Sequence, residues 1–272
     1  MRQQNKHRAS GAWEEVILSH AAEIVTSYET GVTLRQLFYR LVSDGTLRNT
    51  KAEYSQLSHR TAAARREGWF PALVDRTREI IVSASWESPE EARAALRDQY
   101  RRDRTEGQAC SIYLGVEKAG LVEQLRAWFG TPFGIPILPL GGYHSEPFER
   151  LIETHTEEHD RPSVLLYAGD LDASGEDIER NFLRWTDFDE SKKVALTIEQ
   201  ATEHHLPQMP GKQTDQRSAG FSTKYGSLFQ IEVDALPPDV LRDLFAAATA
   251  GYWDDAIYQQ VLVRETAERE EL

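Results

Sequence analysis

Between residues 34 and 44 the apolar side chains fall at Leu34, Leu37, Phe38 and Leu41. That i, i+3, i+4, i+7 spacing places them on one stripe of a helix. Thr33 stands where a helix N-cap belongs, and Gly45 where a chain leaves a helix through the left-handed region. Residues 13–28 carry a comparable amphipathic pattern. A short turn, GTLRNT, leads into a third helix expected over 51–67 and ended by Gly68. Helix, Gly-containing turn and basic helix in that order predict a helix-turn-helix, whose later helix suits a DNA major groove. An ordinary three-helix domain with a solvated basic face fits the same pattern. WFPALVDRTREI, 69–80, has the turn and apolar character of a wing or a connector, and the charge-rich residues 86–109 read as a linker or a surface helix.

Beyond residue 110 short apolar runs alternate with helical patterns. Strands are expected over 111–116, 135–140, 164–168 and 193–198, and helices over 118–129, 146–155 and 175–185. The β-α-β-α-β-α-β order argues for a mostly parallel sheet with helices on its faces, where ligands gather beyond the carboxyl ends of the strands. The expected fold class is α/β with a helical N-terminal domain: a winged-helix domain over 1–85, a charged linker over 86–109, and a parallel-sheet domain with a C-terminal extension over 110–272.

Composition changes this picture in one respect. Of 272 residues, 40% are hydrophobic and 28% charged, enough apolar content for a real core. The single cysteine, Cys110, excludes an internal disulfide and a Cys-based zinc cluster. No apolar run is long enough to span a bilayer and no signal-peptide pattern opens the chain, so a cytoplasmic protein without membrane partners is expected. The net charge of −13 argues against a nucleic-acid partner, but its distribution does not. Residues 1–109 carry 17 Lys and Arg against 15 Asp and Glu, whereas 110–272 carry 14 against 29. Within 35–78 nine basic residues, Arg76 and Arg78 among them, face four acidic ones. Such a local basic surface contacts phosphates whatever the total charge. Lys51, Arg60, Arg65 and Arg66 are the candidate DNA contacts.

The chemistry-bearing stretch is LLYAGDLDASGEDIERNFLRW, 165–185. Asp170 and Asp172 follow an apolar strand one residue apart, so an extended backbone points both the same way. Two like charges side by side repel unless a cation sits between them, and Mg²⁺ takes carboxylate oxygens in this manner. A solvated β-to-α turn with acidic capping residues is the other reading. SIYLGVEKAGL places Glu117 at the end of the first strand, which would add a third carboxylate if the first and third strands are neighbours.

Glu117 after the first strand, Gly141 and Gly142 after the second, and Asp170-x-Asp172 after the third resemble the Toprim domain over about residues 110–200. TLRQLFYRLV, 33–42, resembles the catalytic-tyrosine motif of the type IIB topoisomerase (topoisomerase VI) A subunit and of the meiotic double-strand-break transesterase, with an Arg four residues before a Tyr. The compact length is similar to short bacterial and mobile-element relatives of that subunit. QIEVDALPPDVLRDL, 230–244, also resembles a segment of such relatives, with no chemistry attached to it. The chain departs from the pattern after Gly142, where it reads YHSEPFERL instead of a Pro-Asp pair.

The resemblance implies that Tyr39 is the nucleophile, Arg35 its activator and phosphate contact, and Glu117, Asp170 and Asp172 the ligands of Mg²⁺ (Mn²⁺ as substitute). It implies cleavage of double-stranded DNA to a 5′-phosphotyrosyl enzyme and a free 3′-hydroxyl, by a nucleoid-associated homodimer in which tyrosine and metal come from different protomers. The chain has no Walker-type phosphate loop, so ATP-driven strand passage would need a separate ATPase subunit. Read without the resemblance, Tyr39 lies roughly 100° off the apolar stripe and beside Arg35, as a partly buried structural tyrosine often does. Two rivals therefore stand: a Toprim nuclease using metal-activated water, and a non-catalytic winged-helix DNA-binding protein. HTEEH, 155–159, lacks the zincin order and a clear third ligand, and reads as a solvated face.

Overall fold

The computed structural model describes residues 13–28, 31–75, 82–141 and 146–272. The chain forms two compact units, Met1–Arg76 with Gly169–Asp177 and Ala195–Leu241, and Thr77–Ala168 with Ile178–Val194 and Arg242–Leu272. The composition shift near residue 109 falls inside the second. No helix among the described residues is long and apolar enough to cross a membrane.

The first unit opens with a π-helical turn, Trp13–Leu18, running into α1 (Ser19–Ser27), followed by α2 (Leu34–Ser43) and α3 (Lys51–Arg66). Local chemistry fixes their ends. The Thr33 side chain accepts from the Gln36 N–H at 3.2 Å, and the Gln36 side chain accepts from the Thr33 N–H at 3.0 Å, a reciprocal capping box. Gly45 and Gly68, at φ of 78° and 85°, take the chain out of α2 and α3 through the left-handed region, as their positions predict. Leu37, Phe38 and Leu41 of α2 are buried with Leu57, Thr61 and Ala64 of α3 and Ala21, Ile24 and Val25 of α1. Residues 71–75, in the segment expected to form a wing, have irregular backbone, and 76–81, including Arg76 and Arg78, lie outside the described residues.

In the second unit, Pro89–Gln99 forms α4, a surface helix with no buried residue, which satisfies one of the two expectations for 86–109. A four-stranded sheet follows: β1 (Ser111–Val116), β2 (Ile137–Pro139), β3 (Ser163–Ala168) and β4 (Glu190–Ala195), in the order β2-β1-β3-β4. Strand β1 pairs parallel with both neighbours, in the register Leu114↔Ile137 and Ser111↔Ser163 through Val116↔Ala168. Every residue of β1 and β3 is buried, as expected of central strands covered on both faces. The helices between strands are α5 (Ala119–Leu125), α6 (Glu146–Glu157) and α7 (Ala173–Trp185). The fold is thus mixed α/β with a parallel sheet flanked by helices. Strand β4 lies three residues earlier than its apolar run suggests, because Thr197 forms a capping box with Gln200 and starts α8 (Ile198–Glu203). Helix α8 lies in the Ala195–Leu241 stretch of the first unit, which also holds a two-stranded pair, β5 (Met209–Pro210) with β6 (Phe229–Gln230), enclosing α9 (Ser218–Tyr225) in sequence. A 3₁₀ turn, Val233–Ala235, precedes α10 (Pro238–Thr249) and α11 (Asp255–Glu271).

Candidate functional site

Within the first unit, the Arg35 guanidinium carbon lies 5.6 Å from the centroid of the Tyr39 ring. The one-turn spacing on α2 therefore brings the two side chains together, as expected. Tyr39 is more enclosed than its place at the stripe margin suggests, with 7% of its surface exposed. Its ring also meets Phe38 at 5.6 Å.

Arg35 is engaged from the other side. Its Nη2 donates to Glu232 and its Nε forms an ion pair of 2.9 Å with Asp234. Burial opposes the Arg35 charge, but Asp234 and Glu232, then Tyr39 and Asp170, outweigh it and hold the guanidinium pKa above its ordinary value. Glu232 and Asp234 flank Val233 in the segment whose sequence carried no assigned chemistry. Their signal was present: two carboxylates one residue apart after a short strand, the same alternation as Asp170 and Asp172.

Asp170 is buried, and its Oδ1 accepts from the Val233 N–H at 2.9 Å. Next to it, Leu171 and Ile231 exchange backbone hydrogen bonds of 2.9 and 3.1 Å. Asp172 plays a different part: its Oδ1 accepts from the Gly175 N–H at 2.6 Å, capping the start of α7. The two aspartates are thus separated in role, one pinning a neighbouring segment and one capping a helix.

In the second unit, Glu117 follows β1, and its N–H donates to the Ala168 carbonyl at 3.0 Å, two residues before Asp170 in sequence. The first and third strands are neighbours, as the three-carboxylate reading requires. A Cβ on Gly141 would lie 2.3 Å from the Glu117 carbonyl oxygen, so only glycine permits this approach. Gly142 and His144 lie outside the described residues. Glu117, Asp170 and Asp172 are hard oxygen donors of the kind Mg²⁺ prefers. Among the described residues, no group of three or more His, Cys, Asp or Glu is arranged to hold a metal ion.

The basic residues of α3 do not share one stripe. At about 100° per residue, Arg60 lies roughly opposite Lys51, while Arg65 and Arg66 fall within roughly 60° of Lys51 on either side. Lys51 and Arg66 are exposed, Arg60 and Arg65 half-buried. Arg65 differs from the others: its Nη1 is buried with no hydrogen-bond partner among the described residues, and burial with the adjacent Arg66 lowers its pKa. His155 is a structural partner, its Nδ1 hydrogen-bonded at 2.9 Å to the Tyr113 hydroxyl, whose pKa burial pushes up to about 12.

Compared with known proteins, the chain matches no protein-family model, and no curated protein matches it.

Proposed function

We propose that this chain is a DNA transesterase of the topoisomerase VI A-subunit type, with a winged-helix domain carrying Tyr39 and a Toprim-like sheet, acting on duplex DNA as a homodimer. The observation that carries the proposal is the meeting of Arg35 with Tyr39 at 5.6 Å, in the same unit as Asp170, whose charge acts on Arg35. A nucleophilic tyrosine, a guanidinium beside it and the first aspartate of an Asp-x-Asp pair are the components that such chemistry combines. The β1–β3 adjacency and the Glu117–Ala168 hydrogen bond support the Toprim-like part. The exposed Lys51 and Arg66, within roughly 60° of each other on α3, support the DNA part, as cations that phosphate oxygens can reach.

In the proposed step the Tyr39 hydroxyl gives up its proton to solvent as its Oη attacks a backbone phosphorus, the P–O3′ bond breaks, and the 3′ oxygen leaves and takes up one proton in return. Tyrosine, with an ordinary pKa of about 10, needs a neighbouring cation to attack near neutral pH, and Arg35 is that neighbour. The phosphotyrosyl ester retains the energy of the broken bond, so resealing needs no ATP; an ATPase subunit is called for only if strands are passed. The cofactor the proposal calls for is Mg²⁺, with Mn²⁺ as substitute, on the donor chemistry of Glu117, Asp170 and Asp172 rather than on any gathering of them.

The burial of Tyr39 favours a second reading, a nuclease that hydrolyses DNA with Tyr39 structural. A 3′-end-labelled duplex incubated with protein and Mg²⁺, then run on a denaturing gel, separates the two. The transesterase leaves label attached to protein, lost on Tyr39→Phe; a nuclease leaves free 5′ ends that survive the substitution.

A further inference from the structure

We propose that Glu232 and Asp234 form an internal latch, a carboxylate stand-in for phosphate that occupies Arg35 in the DNA-free protein and that a DNA phosphodiester must displace. The inference rests on the DNA-binding reading above.

Four observations in the first unit carry it. The Nε and Nη2 edge of a guanidinium is one of its edges suited to a two-point grip on phosphate or carboxylate, and on Arg35 this edge is taken by Asp234 and Glu232. The carboxylates also act on Arg35 electrostatically: Asp234, Glu232 and Asp170 all favour its charged form, so an arriving phosphodiester competes with them for the guanidinium. The carboxylates are presented by a held segment, since Ile231 pairs with Leu171 and the Val233 N–H is bound by Asp170. Finally, the 3₁₀ turn Val233–Ala235 packs against α2, the helix on which Tyr39 is buried.

The latch is also placed to be exchanged. Arg35 keeps 44% of its side chain exposed, so a phosphate reaches it without unfolding of the unit. Asp170 then acts as a positioning residue, fixing through Val233 the backbone that carries both carboxylates.

The test is duplex binding by the full-length protein in EDTA, followed by fluorescence anisotropy across a salt series. Glu232→Gln with Asp234→Asn preserves shape and removes two negative charges. The pair is expected to tighten binding about tenfold and to steepen the slope of log affinity against log salt by about 0.9, the value of one added phosphate contact. Adding Arg35→Ala to the pair should abolish both gains, which a nonspecific change of net charge would not. Glu232→Gln alone should give a smaller gain of the same sign, and decides the matter if the double variant fails to fold. Unchanged or weaker binding by these variants, or a gain that survives Arg35→Ala, overturns the latch while leaving DNA binding by the parent protein intact. Failure of every form to bind duplex overturns the DNA reading and the latch with it.

Discussion

Replacing Glu265 by Gln should destabilise the second unit by about 3 kcal/mol, toward the low end of what breaking a buried ion pair costs. The carboxylate lies on α11 with 2% of its side chain exposed. Its Oε1 accepts from Arg104 Nη2 at 2.7 Å and Arg269 Nη2 at 2.6 Å, and its Oε2 from Arg104 Nε at 3.0 Å and the Arg102 N–H at 3.1 Å. Four donors converge on one buried anion and tie α11 to the chain that enters β1. Glutamine keeps one acceptor oxygen but turns an NH₂ group toward donors, losing two charge-assisted hydrogen bonds and leaving Arg104 without its counter-charge. At roughly 2–4 °C per kcal/mol for a unit of this size, melting followed by circular dichroism at pH 7 should fall by about 6–12 °C. Hydrogen bonding from Arg104 is the main cause that holds the Glu265 pKa below the usual carboxylate value of 4.5, against the opposing effect of burial. A depressed folded-state pKa gives stability that is present above the unfolded value and lost as pH falls through the folded one. The melting gap between wild type and variant should therefore narrow below pH 4.5. A gap under about 2 °C at pH 7, or one that does not change on acidification, would refute the reasoning.

Three further outcomes are expected. Thr33→Ala removes half of the capping box at the start of α2 and should cost about 1 kcal/mol, read in denaturant melts; no change would mean that the cap is redundant. Gly141→Ala drives a methyl group to 2.3 Å from the Glu117 carbonyl oxygen, which is backbone and cannot swing aside, so a loss of about 1–3 kcal/mol is expected, and a neutral result would place Gly141 elsewhere. Arg66→Ala, at an exposed position of α3, should weaken duplex binding and reduce the salt slope by about 0.9, while sequence preference stays the same.

What the sequence made legible is local. Thr33, Gly45 and Gly68 mark helix ends because capping depends on neighbours within a few residues, and the unbroken apolar runs of β1 and β3 declare central strands. Strand β4 was misplaced because its outer half is exposed and its inner half runs into the Thr197 cap, so the apolar run 193–198 straddles two elements. The engagement of Arg35 by Glu232 spans 197 residues, and periodicity carries no information on partners that far away. Division into units is hidden for the same reason, since each unit is assembled from three separate stretches of chain. On α3 the helical angle sorts what a count of charges in a window leaves together: Lys51, Arg65 and Arg66 fall on one side and Arg60 roughly opposite.

The most direct test is the chemical identity of the linked residue. Protein incubated with duplex DNA and Mg²⁺, denatured, and digested with nuclease and trypsin should yield the peptide QLFYR, 36–40, carrying a nucleotide 5′-phosphate on Tyr39. Mass spectrometry that finds DNA cut with no nucleotide on that peptide, or a nucleotide on any other residue, contradicts the account.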